Sequence, residues 1–249
     1  MLKKERQTYI LRQVNLHNKV LSNSLCREMS VSEDTIRRDL QELSENGKLV
    51  KVHGGALSQS FNKITFPSSD TYAQTDKRII AEKAISLIRD GMFVLTGGGT
   101  TIIEMAKLLP IQLHATFITG SIPAVVEYMN HPVIDVIVLG DKISKVSKIT
   151  VGADAINRIK SIKADICFLG INAIDLQNGI TDNDWDVVQL KQQMILSSQK
   201  VVCLTISEKI NSLQPFHVCG INKIDVLITE LDPLNPILQP YKNAGITVL

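Results

Sequence analysis

VSEDTIRRDLQELSENGKLVKVHGGA, residues 31–56, decides how the front of this 249-residue chain folds. Ser32 can accept a hydrogen bond from an amide of a first helical turn. Ile36, Leu40 and Leu43 then repeat at i, i+4, i+7, one apolar stripe on a helix running to Asn46. Gly47 stops that helix as a left-handed cap. At about 100° per residue, Arg38 falls roughly 200° from Ile36. A helix with its stripe buried therefore turns Thr35, Arg37, Arg38 and Gln41 outward. Those side-chain types bond phosphates and base edges in a DNA major groove, and the plainer reading is a solvated basic face.

The flanks favour the first reading. Upstream, Leu21, Leu25 and Met29 mark a shorter helix that Ser22 can cap, and Ser30-Val31 is a tight link to the next helix. Residues 3–17 read as a preceding helix, 48–52 as a short strand, and His53-Gly54-Gly55 as the turn of a wing. Arg6, Ile10, Leu25, Val31-Ser32-Glu33, Thr35-Ile36-Arg37-Arg38-Asp39-Leu40, Leu43, Gly47, Leu49 and His53-Gly54-Gly55-Ala56 together resemble the N-terminal pattern of DeoR-type bacterial transcription regulators. The resemblance implies a winged helix-turn-helix over residues 1–57. It would bind double-stranded operator DNA through Ser32, Thr35, Arg37, Arg38, Gln41, Lys51 and His53.

Composition agrees with a local rather than a global DNA affinity. The formal net charge is +2, too small for a polycationic coat, so affinity must come from a patch. An apolar content of 44% supports packed cores, and the length suggests two domains. Cys26, Cys167, Cys203 and Cys219 have no CxxC spacing and sit in or beside apolar runs, which reads as reduced structural thiols in a cytoplasm, a bacterial one by the resemblance. The charged start (Lys3, Lys4, Glu5, Arg6) with no apolar run behind it suggests no signal peptide, and no stretch is long and apolar enough to suggest a membrane span. Neither a metal nor a cofactor is expected.

Residues 58–75, polar and carrying Pro67-Ser68-Ser69-Asp70, read as a linker. Beyond it, Ile79, Ile80, Ala84, Leu87 and Ile88 outline an amphipathic helix. Apolar strand candidates at 93–95, 116–118, 133–139, 166–169, 200–205 and 226–229 then alternate with helix candidates at 101–109, 122–130, 153–160 and 185–198. That alternation predicts an α/β domain with a mostly parallel sheet covered on both faces, the C-terminal Ile-Thr-Val-Leu returning as an edge strand.

In such sheets ligands bind beyond the carboxyl ends of the strands. Gly97-Gly98-Gly99-Thr100-Thr101 ends a strand and opens a helix, where backbone amides and hydroxyls can meet an anion; the alternative is a tight turn. It is neither GxGxxG nor a Walker loop. Thr119-Gly120-Ser121 is a second such loop, and two on neighbouring strands would converge on one cleft. Asp141, Asn172, Thr181, Asp182 and Asp184 lie at other strand ends and suit sugar hydroxyls, although residues 181–186 could simply cap the next helix. On that helix Lys191 falls at the centre of the face made by Val187, Val188, Leu190, Met194 and Ile195, where it requires an anion or must snorkel to solvent.

Residues 76–232 resemble the DeoR C-terminal sensor domain. The resemblance implies a Rossmann-like, ribose-5-phosphate-isomerase-like α/β fold over 76–249 that binds the phosphate of a phosphorylated sugar. By motif, Gly97, Gly98, Gly99, Thr100, Thr101, Thr119, Gly120, Ser121 and Lys191 would meet the phosphate. The chain departs from the family pattern at Gly97, usually aspartate, at Gly120, usually asparagine, and at Asp141, usually glycine. The expected function is a repressor of sugar-metabolism genes, acting as a homodimer or homotetramer, with no catalytic residue assigned. The alternatives are a sugar-phosphate isomerase or deaminase with a DNA-binding appendage, and a DNA-binding scaffold without a ligand; turnover assays and a ligand screen separate them.

Overall fold

Residues 1–59 and 72–249 are described by a computed structural model, which divides into two units, Met1–Tyr72 and Ala73–Leu249. The first unit is built from α1 (Lys3–His17), β1 (Lys19–Leu21), α2 (Ser22–Met29), α3 (Glu33–Glu45), β2 (Leu49–Val52) and β3 (Gly55–Ser58). Ser32 caps α3 through its hydroxyl, which accepts from Thr35 N, and Ser30 takes the left-handed conformation that lets α2 turn into α3. Ile36, Leu40 and Leu43 pack with Ile10, Val14, Leu25, Met29 and Leu49 in one core. Two details differ from the sequence reading. Leu21 occupies the cap position of α2 and Ser22 opens the helix, because residues 19–21 are drawn into β1, which leaves Leu21 exposed. β1 pairs antiparallel with β3, and β3 with β2. Gly55 is demanded by that pairing, since a Cβ there would lie 1.9 Å from the Val20 carbonyl oxygen. Gly54 (φ 74°) makes the wing turn.

Asp39 is 2% exposed although it belongs to α3. It lies about 60° from the centre of the apolar stripe, on the side facing α1. The Arg6 guanidinium bonds both of its oxygens, Nη2 to Oδ1 at 3.2 Å and Nε to Oδ2. This ion pair ties α1 to α3. Arg6→Ala is expected to strand the carboxylate and destabilise the first unit by about 2–3 kcal/mol, less than a fully buried pair because Arg6 reaches solvent. A urea midpoint of the N-terminal transition equal to that of the parent would contradict this.

Of the expected linker, Ser58 belongs to β3, residues 60–71 lie outside the described residues, and α4 (Gln74–Ile85) begins before residue 75. The second unit continues with β4 (Phe93–Thr96), α5 (Thr100–Lys107), β5 (Thr116–Thr119), α6 (Ile122–Tyr128), β6 (Asp135–Val138), β7 (Lys142–Ser144), β8 (Ile149–Val151) and α7 (Ala153–Lys160). It then runs through β9 (Ala164–Gly170), β10 (Ala173–Asp175), β11 (Gly179–Asp182), α8 (Trp185–Leu196), β12 (Ser198–Leu204), β13 (Phe216–Cys219), β14 (Val226–Ile228), α9 (Gln239–Asn243) and β15 (Thr247–Val248). Seven strands form the parallel sheet in the order β15-β14-β12-β9-β4-β5-β6, with the C-terminal strand at one edge as expected. Phe117 stacks on Tyr128 of α6, while its neighbour Ile118 joins Leu95, Cys167, Ala155, Ile159 and Val188 on the opposite face, so α6 and the α7/α8 pair cover opposite sides.

Two features were not legible as strands, the β7–β8 hairpin and the small antiparallel sheet β10-β11-β13, both outside the parallel core; β6 falls within the expected strand at 133–139 but is exposed rather than covered. Ile79, expected in the apolar stripe of α4, is also exposed. All four cysteines are free thiols, three of them buried.

Candidate functional site

On α3 the geometry separates the expected DNA-reading side chains. Ser32 and Thr35 hydroxyls face one another at 2.9 Å. Arg37 pairs with Asp34 at 2.9 Å in solvent. Gln41 accepts from Lys51 Nζ at 2.8 Å and donates to Glu45 at 2.7 Å, which ties the start of the wing to the helix. Arg38 is exposed with no partner among the described residues, and His53 is exposed at the wing turn. One face thus offers an unengaged guanidinium flanked by groups that must release short-range partners to engage anything else.

In the second unit the strand order changes direction between β4 and β9. From β4 the chain moves outward through β5 to β6, and from β9 through β12 and β14 to β15. A crevice opens at such a switch point. Gly97-Gly98-Gly99 leaves β4 there: Gly97 N donates to Phe168 O at 3.0 Å, and Gly99 (φ 109°) turns the chain into α5, so that Thr100 and Thr101 form its first turn. The Gly98 carbonyl lies so close over Gly170, at the end of β9, that a Cβ on Gly170 would sit 2.8 Å from it.

Thr119-Gly120-Ser121 follows beside it. The Thr119 hydroxyl is already engaged, donating to Thr96 O at 2.9 Å and accepting from Ser121 N at 3.1 Å. Gly120 answers to packing: a Cβ there would lie 2.1 Å from the Thr150 hydroxyl of β8, a buried oxygen with no hydrogen-bond partner among the described residues. The sequence pointed to the glycine but not to the hairpin that requires it.

Lys191 reaches this crevice, and its anion is part of the chain. It is 5% exposed, donating to Asp182 Oδ2 at 2.6 Å and to Gly170 O at 2.7 Å. Burial alone would push the Asp182 carboxyl up. The Lys191 ammonium, with hydrogen bonds from Lys191, Asn172 Nδ2 and Asn183 N, outweighs that and holds it below the usual carboxylate range.

The other expected sugar ligands are employed in structure. Asp141 Oδ2 accepts from Asp154 N and Ala155 N at the start of α7, and the backbone N–H groups of Ala155 and Lys142 lower its pKa. Asp184 caps α8 and accepts from the Ser147 hydroxyl at 2.7 Å. Thr181 Oγ1 accepts from Gln214 N at 2.8 Å. Trp185 packs edge-on against Phe216.

Two lysines that the sequence reading passed over complete the crevice. Lys209, in a short turn after β12, donates to Ile171 O at 3.2 Å and Asn172 Oδ1 at 3.5 Å, both neutral oxygens. Burial, then the ammonium groups of Lys77 and Lys191, push its pKa down to about 7. Lys77, buried in the first turn of α4, is pushed down to about 8 by burial, opposed by Glu104 and Asp76. Lysines on short turns carry no periodicity, so nothing in the local sequence distinguishes Lys209 from a surface cation.

Residues 6–61 match the DeoR-like helix-turn-helix domain and residues 72–231 the DeoR C terminal sensor domain. The chain belongs to the DeoR family. It is 32% identical to the uncharacterized HTH-type transcriptional regulator YulB of Bacillus subtilis, over 100% of this chain and 98% of that one. It is 29% identical to the HTH-type transcriptional repressor GlcR of the same organism, over 100% and 96%. A ribose 5-phosphate isomerase A from Methanocaldococcus jannaschii overlaps 54% of this chain and 53% of its own, with 18% identity and a TM-score of 0.40, too distant to transfer a function. This DeoR regulator is therefore a DNA-binding transcription regulator with an N-terminal winged helix-turn-helix and a C-terminal α/β sensor domain, and no described helix is long and apolar enough to cross a membrane.

Proposed function

We propose that this DeoR-family protein is a cytoplasmic repressor of sugar-metabolism genes, pairing copies on operator DNA and released or engaged by a phosphorylated sugar in the β4/β9 crevice. The observation that carries the effector reading is Lys209, whose ammonium lies at the end of β9 and hydrogen-bonds two neutral oxygens, Ile171 O and Asn172 Oδ1, with the Asp182 and Glu208 carboxylates acting on it only through the field. Lys191 is matched by Asp182 and Asn172 is held between Asp182 and Lys209, so both act as structural supports of the site, while Thr100, Thr101 and Ser121 supply the hydroxyl groups for a sugar phosphate at the two loops. Arg38 and His53, with Arg37, Lys51 and Gln41 after they exchange partners, read the DNA. Relatives named for sugar systems, such as the lactose phosphotransferase system repressor of Staphylococcus epidermidis, support the carbohydrate assignment.

We infer no catalysis. Asp182 has its pKa lowered and both oxygens engaged, and Asp184 caps a helix, which makes each a poor general base. A thermal-shift screen of phosphorylated sugars, followed by operator binding with and without the hit, tests the reading; turnover of any hit, or no hit at all, overturns it.

The lysines also predict a pH dependence. A phosphate dianion favours the charged form of Lys209, so its pKa of about 7 rises on binding and the complex takes up protons between about pH 7 and 8. Full affinity is present below the free pKa and falls as pH rises above it, down to about pH 6 where the phosphate itself protonates. Calorimetry in two buffers of different ionisation enthalpy measures the uptake. Zero uptake at pH 7.5, or the same uptake in Lys209→Met, would remove Lys209 from the site.

A further inference from the structure

The β7–β8 hairpin lies against both loops of the crevice. Thr150 N donates to Gly120 O at 2.9 Å, Ile122 N donates to Lys148 O at 2.9 Å, and Ser121 bridges to Ile149. Ile149 also meets the first loop, since a Cβ on Gly98 would lie 3.6 Å from its Cδ1 and 3.8 Å from the Ser121 hydroxyl. The only polar side chain of β8 is Thr150, which is 3% exposed. Its hydroxyl takes the place that a side chain on Gly120 would fill. The second loop thus carries no side chain at its middle, and the polar group at that point comes from β8. Neighbouring hydroxyls do not engage it: Thr119 spans Thr96 O and Ser121 N, and Tyr128 donates to the Thr96 hydroxyl. In the second unit no other buried side-chain nitrogen or oxygen among the described residues lacks a partner. Such an unmade bond costs stability, and valine has the same branched shape and suits a strand equally well. The free chain therefore gains nothing from this oxygen, whereas a ligand seated at the second loop would gain both a donor and an acceptor.

We propose that Thr150 is a specificity-determining residue of the effector site, its hydroxyl turning about the Cα–Cβ bond to hydrogen-bond an oxygen of the sugar when a sugar phosphate fills the two loops. The phosphate is served by other groups. The backbone amides at the start of α5 and the Lys209 ammonium supply positive charge, and Thr150 brings none. A neutral hydroxyl suits the neutral part of the ligand, and a site that hydrogen-bonds a particular hydroxyl discriminates against sugars that lack it there. Because β8 is bonded through its backbone to Gly120, the oxygen is held at a fixed place relative to both loops, which is what such discrimination requires. The inference rests on the sugar-phosphate reading of the crevice, and inorganic phosphate separates the two, since it reports the phosphate site without the sugar.

Calorimetric titration of the full chain with inorganic phosphate and with a panel of aldose and ketose monophosphates, alongside thermal melts of the free protein, decides it. Thr150→Val is expected to melt no lower than the parent and to bind inorganic phosphate as the parent does. Its affinity for the tightest sugar monophosphate of the panel is expected to fall roughly three- to tenfold, the worth of one neutral hydrogen bond. Thr150→Ser, which keeps the oxygen, is expected to bind that sugar monophosphate within about twofold of the parent. Should Thr150→Val fail to fold, Thr150→Ala gives the same reading of affinity. Parent affinity for the sugar monophosphate in the hydroxyl-free variant overturns the proposal and leaves the effector reading standing. Equal weakening toward inorganic phosphate, or a loss in Thr150→Ser as large as in Thr150→Val, also overturns it. A parent that binds no member of the panel overturns both readings.

Discussion

Lys191→Met is expected to destabilise the sensor unit by about 3–5 kcal/mol, the usual cost of removing one partner from a buried ion pair. The methionine would fill the space of the lysine stem and keep α8 helical. Asp182, buried and with both oxygens engaged, would be left charged with only amide donors around it. For a unit of this size each kcal/mol lowers the melting temperature by roughly 2–4 °C, so a fall on the order of 10 °C follows. Adding Asp182→Asn removes the stranded charge while keeping an oxygen for Asn172 and the Asn183 amide, and should recover at least half of the loss. A single variant that melts with the parent would mean that the pair contributes nothing. From the sequence alone the same substitution reads as a clean removal of a phosphate ligand. The tertiary partner turns it into a stability variant, and effector affinity is properly measured in the double variant.

Arg38→Ala should have the second large effect, on DNA. Its guanidinium is exposed on the outward face of α3 with no partner among the described residues, and alanine there improves helix propensity, so folding should be unaffected. A lost contact to a base edge costs about 1–3 kcal/mol, and an operator with two half-sites counts it twice, giving on the order of 2–6 kcal/mol for the pair. Fluorescence anisotropy at fixed salt, with a duplex selected from random sequence, measures this. Arg37→Ala should lose less, because that side chain must first give up Asp34. If the Arg38 contact is instead to phosphate, affinity falls alike on all duplexes and the salt slope drops by about one. Unchanged affinity in Arg38→Ala would remove α3 from the groove.

What the sequence determined by itself was everything that depends on near neighbours along the chain. The Ser32 cap, the Ile36-Leu40-Leu43 stripe, the wing turn and the alternation of apolar strands with helices all follow from spacing and local hydrogen bonding, and each lies close to where it was expected. Even α7 at residues 153–160 has the expected bounds, because its apolar stripe is local. Only the tertiary structure decided which charges meet. Asp39 looks like any helix-surface carboxylate until Arg6, 33 residues away, takes it into the core. Lys191 faces inward as its phase requires, but the carboxylate that receives it lies at the end of β11, a strand that pairs back antiparallel on β10. Asp141 reads as a ligand and becomes the anchor of α7, 13 residues on. The exposure of β6 was equally hidden: Val136-Ile137-Val138 has the composition of a buried strand, and its place at the sheet edge is set by chain order across the sheet. Periodicity reports the face a residue turns to, while the partner on that face is chosen by long-range packing, which leaves no mark on local spacing.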